Sequence, residues 1–149
     1  THFSGPVISG PRAGERGALN TRGAWGLAVL AQTAVLTQNS TNNVSATFTV
    51  PKHSQILDFL VDNIVLWDSA ATAAITIGTA AGGAQYFTST SVKTGSRLAV
   101  TPTTPQLTAM ADTGTNQSVV ATVTVSGATT AGQTRVTMRY VQTTQWDTN

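Results

Sequence analysis

Apolar and polar residues alternate with a period of two at several places in this chain, and that period restricts the fold more than any other feature. Val44, Ala46, Phe48 and Val50 interleave with Ser45, Thr47 and Thr49, and Ala73, Ile75 and Ile77 with Thr72, Ala74 and Thr76. Further along, Val119, Ala121, Val123 and Val125 alternate with Thr122 and Thr124, and Val136, Met138 and Tyr140 with Arg135, Thr137 and Arg139. Successive side chains of a strand point to opposite faces, so each run predicts a strand with one face buried and the other in water. One-sided burial of this kind belongs to antiparallel sheets. The last two runs, joined through the glycine-bounded residues 127–132, read as a hairpin.

The segments between are less regular. Residues 25–38 are apolar, and alanine and leucine permit a helix there. Gly26 and the turn cluster Asn39, Ser40, Thr41, Asn42 and Asn43 suit a strand and turn equally well. Residues 55–67 are the most apolar run. Leu57, Phe59 and Val61 share one phase and Ile64 and Leu66 the other, which a bulge near Asp62 and Asn63 would reconcile. Ile56, Leu60 and Ile64 at four-residue spacing are the helical rival, and the flanking strands favour a strand. A short segment follows the small-residue turn at 80–83, and residues 97–101 and 106–111 read as short edge strands around Pro102 and Pro105. Eight or nine short strands at this spacing, without an internal repeat, predict an all-β, two-sheet sandwich of jelly-roll type.

The residue supply fits such a sheet. Threonine, β-branched and suited to a pleated strand, accounts for 28 of the 149 residues, while only 9% are charged against an average of about 25%. Outer faces are thus kept polar by hydroxyls, which also suits a surface covered by neighbouring subunits. The length is enough for one domain with a sizeable core. Cysteine is absent, which excludes disulfides and thiolate metal sites.

Residues 1–23 differ from the rest. They hold Gly5, Gly10, Gly14, Gly17 and Gly23 with Pro6 and Pro11, a density that opposes helix and central strand alike. The expected organisation is therefore an extended arm over 1–23 and a sandwich domain over 24–149. Phe3, Pro6, Val7, Ile8 and Leu19, with Arg12, Arg16 and Arg22, are the candidate partner-binding residues of the arm. Fully extended it would reach about 75 Å, at ~3.3 Å per residue. With Glu15, its three arginines account for the whole net charge of +2. Three spread arginines fall short of the dense basic stripe of a nucleic-acid binder, so nucleic acid is not expected as a partner. No run approaches the ~20 apolar residues of a membrane-spanning helix. The opening Thr-His-Phe-Ser-Gly-Pro lacks a charged-then-apolar signal pattern and reads as a mature chain without its initiator methionine.

Parts for catalysis are scarce. His2 lies in the arm and His53 in a turn, neither with a second histidine at ligand spacing, and Glu15 is the only glutamate. Asp58 and Asp62 stand four apart, which aligns them on a helix but on a bulged strand turns them to solvent or a subunit interface. No nucleophile elbow, phosphate loop or calcium loop occurs. The expectation is a protein that is not an enzyme, with no catalytic residues, no cofactor and no metal. Asn39, Asn43 and Asn116 begin Asn-x-Ser/Thr sequons, which arise readily by chance in so Thr-rich a chain. Of the tryptophans, Trp67 is expected in the core, while Trp146, close to the C-terminal end of the sequence, is a candidate interface anchor.

The opening Thr1-His2-Phe3-Ser4-Gly5-Pro6-Val7 resembles the start of short virion proteins of tailed bacteriophages. Val50-Pro51 followed by Gln55-Ile56-Leu57-Asp58, then Ile75-Thr76-Ile77-Gly78-Thr79 and the closing Arg135-Val136-Thr137-Met138-Arg139-Tyr140-Val141, resembles the strand succession of the same proteins. The resemblance is to capsid decoration (cement) proteins or head-fibre bases. It implies a β-sandwich on the outer surface of the virion capsid, partnered by the major capsid protein and by further copies of itself, a trimer above all. A head-fibre or tail component is the alternative within that class. A secreted carbohydrate-binding sandwich, supported only by the sequons and tryptophans, is the alternative outside it.

Overall fold

In a computed structural model the described residues are 28–40, 42–112 and 114–142. They form eight strands and one short helix: β1 (Val29–Thr37), β2 (Val44–Val50), β3 (Ser54–Val65), β4 (Thr72–Gly78), β5 (Phe87–Ser91), β6 (Arg97–Leu98), α1 (Thr104–Ala109), β7 (Gln117–Ser126) and β8 (Gln133–Gln142). Two four-stranded antiparallel sheets pack face to face, the first in the order β1-β8-β3-β6 and the second in the order β2-β7-β4-β5. The first strand pairs with the eighth, the second with the seventh, the third with the sixth and the fourth with the fifth. The chain is thus one long antiparallel hairpin, doubled back at its middle and wound so that alternate pairs fall in opposite sheets. That winding is a jelly roll.

The period-two runs place their apolar members inside. Phe48 and Val50 of β2, Ile75 and Ile77 of β4, Val119, Ala121 and Val123 of β7 and Val136, Met138 and Tyr140 of β8 are all buried, together with Leu36, Phe59 and Val61. Each fully buried side chain of this size contributes roughly 1.5–3 kcal/mol. The rings of Phe59, on β3, and Tyr86, just before β5, meet at 6.1 Å in a tilted arrangement.

Several expectations change. Residues 119–125 and 135–141 are not a hairpin: β7 pairs with β2 and β4, and β8 with β1 and β3. Alternation says which face of a strand is buried but not which sheet it joins, and residues 127–132 cross between the sheets rather than turning within one. Residues 106–111 are not a strand. Pro105 occupies the first turn of α1, where a missing N–H costs nothing, and Thr103 and Gln106 close a capping box. In 55–67 the strand is present, with two bulges, at Leu57 and at Ile64. Ile56, Phe59, Val61 and Asn63 face inward, whereas Leu57, Ile64 and Leu66 are exposed rather than core. A bulged residue stands outside the alternation, so phase counting assigns it wrongly. The arm at 1–23 and Trp146 lie outside the described residues.

Trp67, just after β3, is buried as expected, and its indole N–H donates to Thr134 Oγ1 at 2.8 Å. Gly132 lies directly beneath the ring: a β-carbon there would sit 2.5 Å from Trp67 Cδ2 and 2.8 Å from Cγ. Gly132→Ala is expected to lower the stability of the sandwich by about 1–3 kcal/mol through overpacking, read as a lower urea midpoint at unchanged denaturant slope. A midpoint equal to wild type would mean that the indole moves aside freely.

Candidate partner-binding surfaces

The two outer faces of the sandwich differ in chemistry. On the first sheet the outward positions are Val29, Ala31, Thr33, Val35 and Thr37 on β1 and Gln133, Arg135, Thr137, Arg139 and Val141 on β8, in direct register. Beyond β8, β3 presents Asp58 opposite Arg139 and Asp62 opposite Arg135, and β6 brings Arg97 opposite Asp62. Arg139 Nε donates to Asp58 Oδ1 at 2.6 Å, and its Nη2 pairs with Asp58 Oδ2. Arg97 Nε donates to Asp62 Oδ1 at 2.6 Å and Arg135 Nη2 to Asp62 Oδ2 at 3.1 Å. The Arg97 hydrogen bond, helped by that of Arg135, holds the Asp62 carboxyl below its usual range against the opposing effect of burial.

Asp58 and Asp62 thus face solvent and neighbouring arginines, as a bulged strand would have them. The four-residue spacing of the acids matches the four-residue spacing of Arg135 and Arg139, and antiparallel pairing turns equal spacings into paired contacts. That is the sequence signal for the ladder, and it is visible only once β3 and β8 are known to be neighbours. Exposed cross-strand pairs of this kind contribute little to stability, being screened by solvent. Their main effect is to fix the register of β8, β3 and β6.

No charged residue lies on the outer face of the second sheet among the described residues. Ser45, Thr47 and Thr49 of β2 stand beside Ser118, Val120, Thr122 and Thr124 of β7, and Ala74 and Thr76 of β4 complete it. Part of this face is covered by the chain itself. Residues 79–85 fold over it, Gly82 N–H donating to Thr122 Oγ1 at 3.0 Å while Ser45 Oγ meets the same oxygen at 2.9 Å. Gly78 allows this approach, since a β-carbon there would lie 2.4 Å from the carbonyl carbon of Gly83.

Polar side chains elsewhere close loops. Asp68 accepts from the Thr130 hydroxyl and from the backbone N–H groups of Thr130 and Ala131. Lys93 Nζ donates to the carbonyls of Ser69 and Ala71. Two of the three sequon asparagines also hold loops: Asn43 Oδ1 accepts from Val125 N–H and Asn116 Oδ1 from Lys52 N–H. His53 sits in the turn between β2 and β3, with Nδ1 3.8 Å from Asp112 Oδ2. Among the described residues no three His, Cys, Asp or Glu side chains gather as a metal site would require, and no helix is long and apolar enough to cross a membrane.

Of the partner-binding residues expected from sequence, Phe3, Pro6, Val7, Ile8, Arg12, Arg16, Leu19, Arg22 and Trp146 all lie outside the described residues. The described body does fix where their segments join it. Val29 is paired with Val141 on the neighbouring strand, so the segment preceding β1 and the segment following β8 meet the sandwich side by side, at one end of the first sheet. Sequence reasoning passed over the exposed aliphatic residues of this sheet, Val29, Leu30 and Val35 on β1 and Leu57, Ile64, Val65 and Leu66 on and after β3.

Compared with protein-family models, curated proteins and solved structures, the chain matches none.

The Asp68 cap generates a pH prediction. Hydrogen bonding, led by the Thr130 hydroxyl, lowers its carboxyl from 3.8 to about 2. A lowered folded-state value contributes stability above the unfolded value, lost as pH falls through the folded one. The wild-type melting temperature should therefore fall more steeply than that of Asp68→Asn between pH 4 and pH 2, the window set by those two values. Parallel curves would show that the cap contributes nothing through ionisation.

Proposed function

We propose that this chain is a structural, non-enzymatic virion protein that decorates the outer surface of an assembled phage capsid and cements it by bridging shell subunits. Its partners in this reading are the major capsid protein and further copies of itself, for which the resemblance implies a trimer. The observation that carries the reading is the meeting of the N- and C-terminal segments on adjacent strands, at Val29 and Val141. The segment holding the net positive charge and Phe3, Val7, Ile8 and Leu19 therefore joins the sandwich beside the segment holding Trp146. The jelly roll agrees by analogy only, since that architecture serves viral capsid domains and lectins alike.

The physical division of labour is simple. A sandwich whose charges are largely consumed in its own ladder and loops makes few long-range electrostatic demands on what it touches. The arm supplies attachment: apolar anchors spaced along an extended segment, with arginines for acidic patches on the shell. Ordering such a segment costs roughly 1–2 kcal/mol per residue, so its contacts must be made on the partner to hold it.

Quantitative mass spectrometry of purified particles against the major shell protein tests the reading. A fixed fractional ratio corresponding to hundreds of copies per particle is the expected result. A handful of copies would move the chain to a head fibre or tail, and absence from particles would favour the secreted carbohydrate-binding alternative. Removing residues 1–23 should sharply lower occupancy on particles while the sandwich melts as before; full occupancy without the arm would overturn its role as the attachment.

A further inference from the structure

β1 is an edge strand that lacks the usual protection of an edge. It pairs with β8 through nine consecutive positions without a bulge. It contains no charged residue and no proline, and Val29 and Val35 are 56% and 47% exposed. Natural edge strands are ordinarily short, charged, bulged or covered, because a long, regular and apolar edge recruits another strand.

The other edges among the described residues are shorter or partly capped. On β2, the Gln32 side chain reaches across from β1, donating to the Thr49 carbonyl at 2.7 Å and accepting from Thr49 N–H at 3.3 Å. β6 is two residues long, and β5, five residues long, meets a break in register opposite β4. Among the described residues β1 is therefore the longest regular edge.

Its unpaired groups can be assigned. Gln38 N–H donates to the Gly132 carbonyl at the end of the β1–β8 ladder, and hydrogen-bonded and non-hydrogen-bonded pairs alternate in an antiparallel ladder. Counting back from that bond, Leu36, Ala34, Gln32 and Leu30 turn their backbone groups toward β8. Val29, Ala31, Thr33, Val35 and Thr37 turn theirs to the open edge.

We propose that β1 is the site at which a second copy of this chain adds, edge to edge and antiparallel, about a twofold axis at Thr33. The five outward residues are symmetric about Thr33, so a copy in the reverse direction matches every open N–H with a carbonyl. Thr33 meets its own mate, Ala31 meets Val35, and Val29 meets Thr37. Val29 and Val35 thereby gain Thr37 and Ala31 of the second copy as cross-strand neighbours on the same face. The nearest arginines, Arg135 and Arg139, are tied to Asp62 and Asp58, so the two copies do not confront each other with a row of unpaired like charge. A twofold contact is isologous, and one β1 per chain builds dimers from this edge alone, so the trimer that the resemblance implies would need another surface. The pairing does not depend on what the sandwich attaches to.

Absence of cysteine makes the test unambiguous. In the paired arrangement Thr33 and its mate are a hydrogen-bonded pair with α-carbons about 5.5 Å apart, within disulfide range. Thr33→Cys should oxidise to a covalent dimer, while Thr47→Cys, on the outer face of the second sheet, should not. Light scattering on the wild type should give an even multiple of the chain mass, twice that mass where β1 is the sole contact between copies. Val35→Lys, which sets charges along both edges, should weaken the dimer roughly tenfold or more at unchanged circular dichroism. A wild-type monomer at the highest soluble concentration, or a dimer that neither cross-links at position 33 nor responds to Val35→Lys, would overturn the proposal. So would loss of the dimer on removing residues 1–27, which would hand the edge to that segment.

Discussion

A buried chain of three side chains holds one end of this sandwich together. The Trp67 indole N–H donates to Thr134 Oγ1, the Thr134 hydroxyl donates to Asn63 Oδ1 at 2.7 Å, and Asn63 Nδ2 donates to the Gly95 carbonyl at 3.0 Å. Thr134 of β8 is thereby tied to Asn63 of β3, Trp67 of the β3–β4 connection and, through Asn63, the loop before β6, all far from it in sequence. Thr134 is fully buried and its hydroxyl gives one hydrogen bond and accepts another, so no polar group is stranded. Asn63 points inward to reach Thr134, and Trp67, just past the end of β3, is buried as well.

The inner faces were legible because period two needs no knowledge of partners: Phe48, Ile75, Val123 and Met138 announce their burial by their neighbours alone. The sandwich architecture followed from the number and spacing of such runs. Topology did not follow, since alternation in 119–125 and 135–141 is identical for a hairpin and for two strands in different sheets. The helix at Thr104–Ala109 carried a readable signal in Thr103 and Gln106, three apart, but the two nearby prolines pointed equally to an interrupted edge. Leu57 and Ile64 were misplaced for the reason common to all bulges, that they belong to neither phase.

The candidate surfaces divide in the same way. Arginines and aspartates at equal spacing on β8 and β3 were present in the sequence, yet their pairing is a property of the register. The edge of β1 was less legible still. Its residues read as apolar with helix and strand both open, and only the strand order shows that one side of it has no neighbour among the described residues. An edge is a fact of topology, and nothing in Val29–Thr37 itself declares it.

The position of β8 between β1 and β3 has a consequence in time. Both neighbours leave the ribosome well before it does, and neither pairs with the other. The first sheet therefore cannot form until the last of its strands has been synthesised, and during that interval β1 and β3 both wait with open edges. Folding of this sheet is governed by closure of the long loop from β1 to β8. A nascent chain in that state is most exposed to pairing with the wrong strand, and the Arg–Asp ladder on β8 and β3 rewards the correct register over a slipped one at the moment the strand arrives.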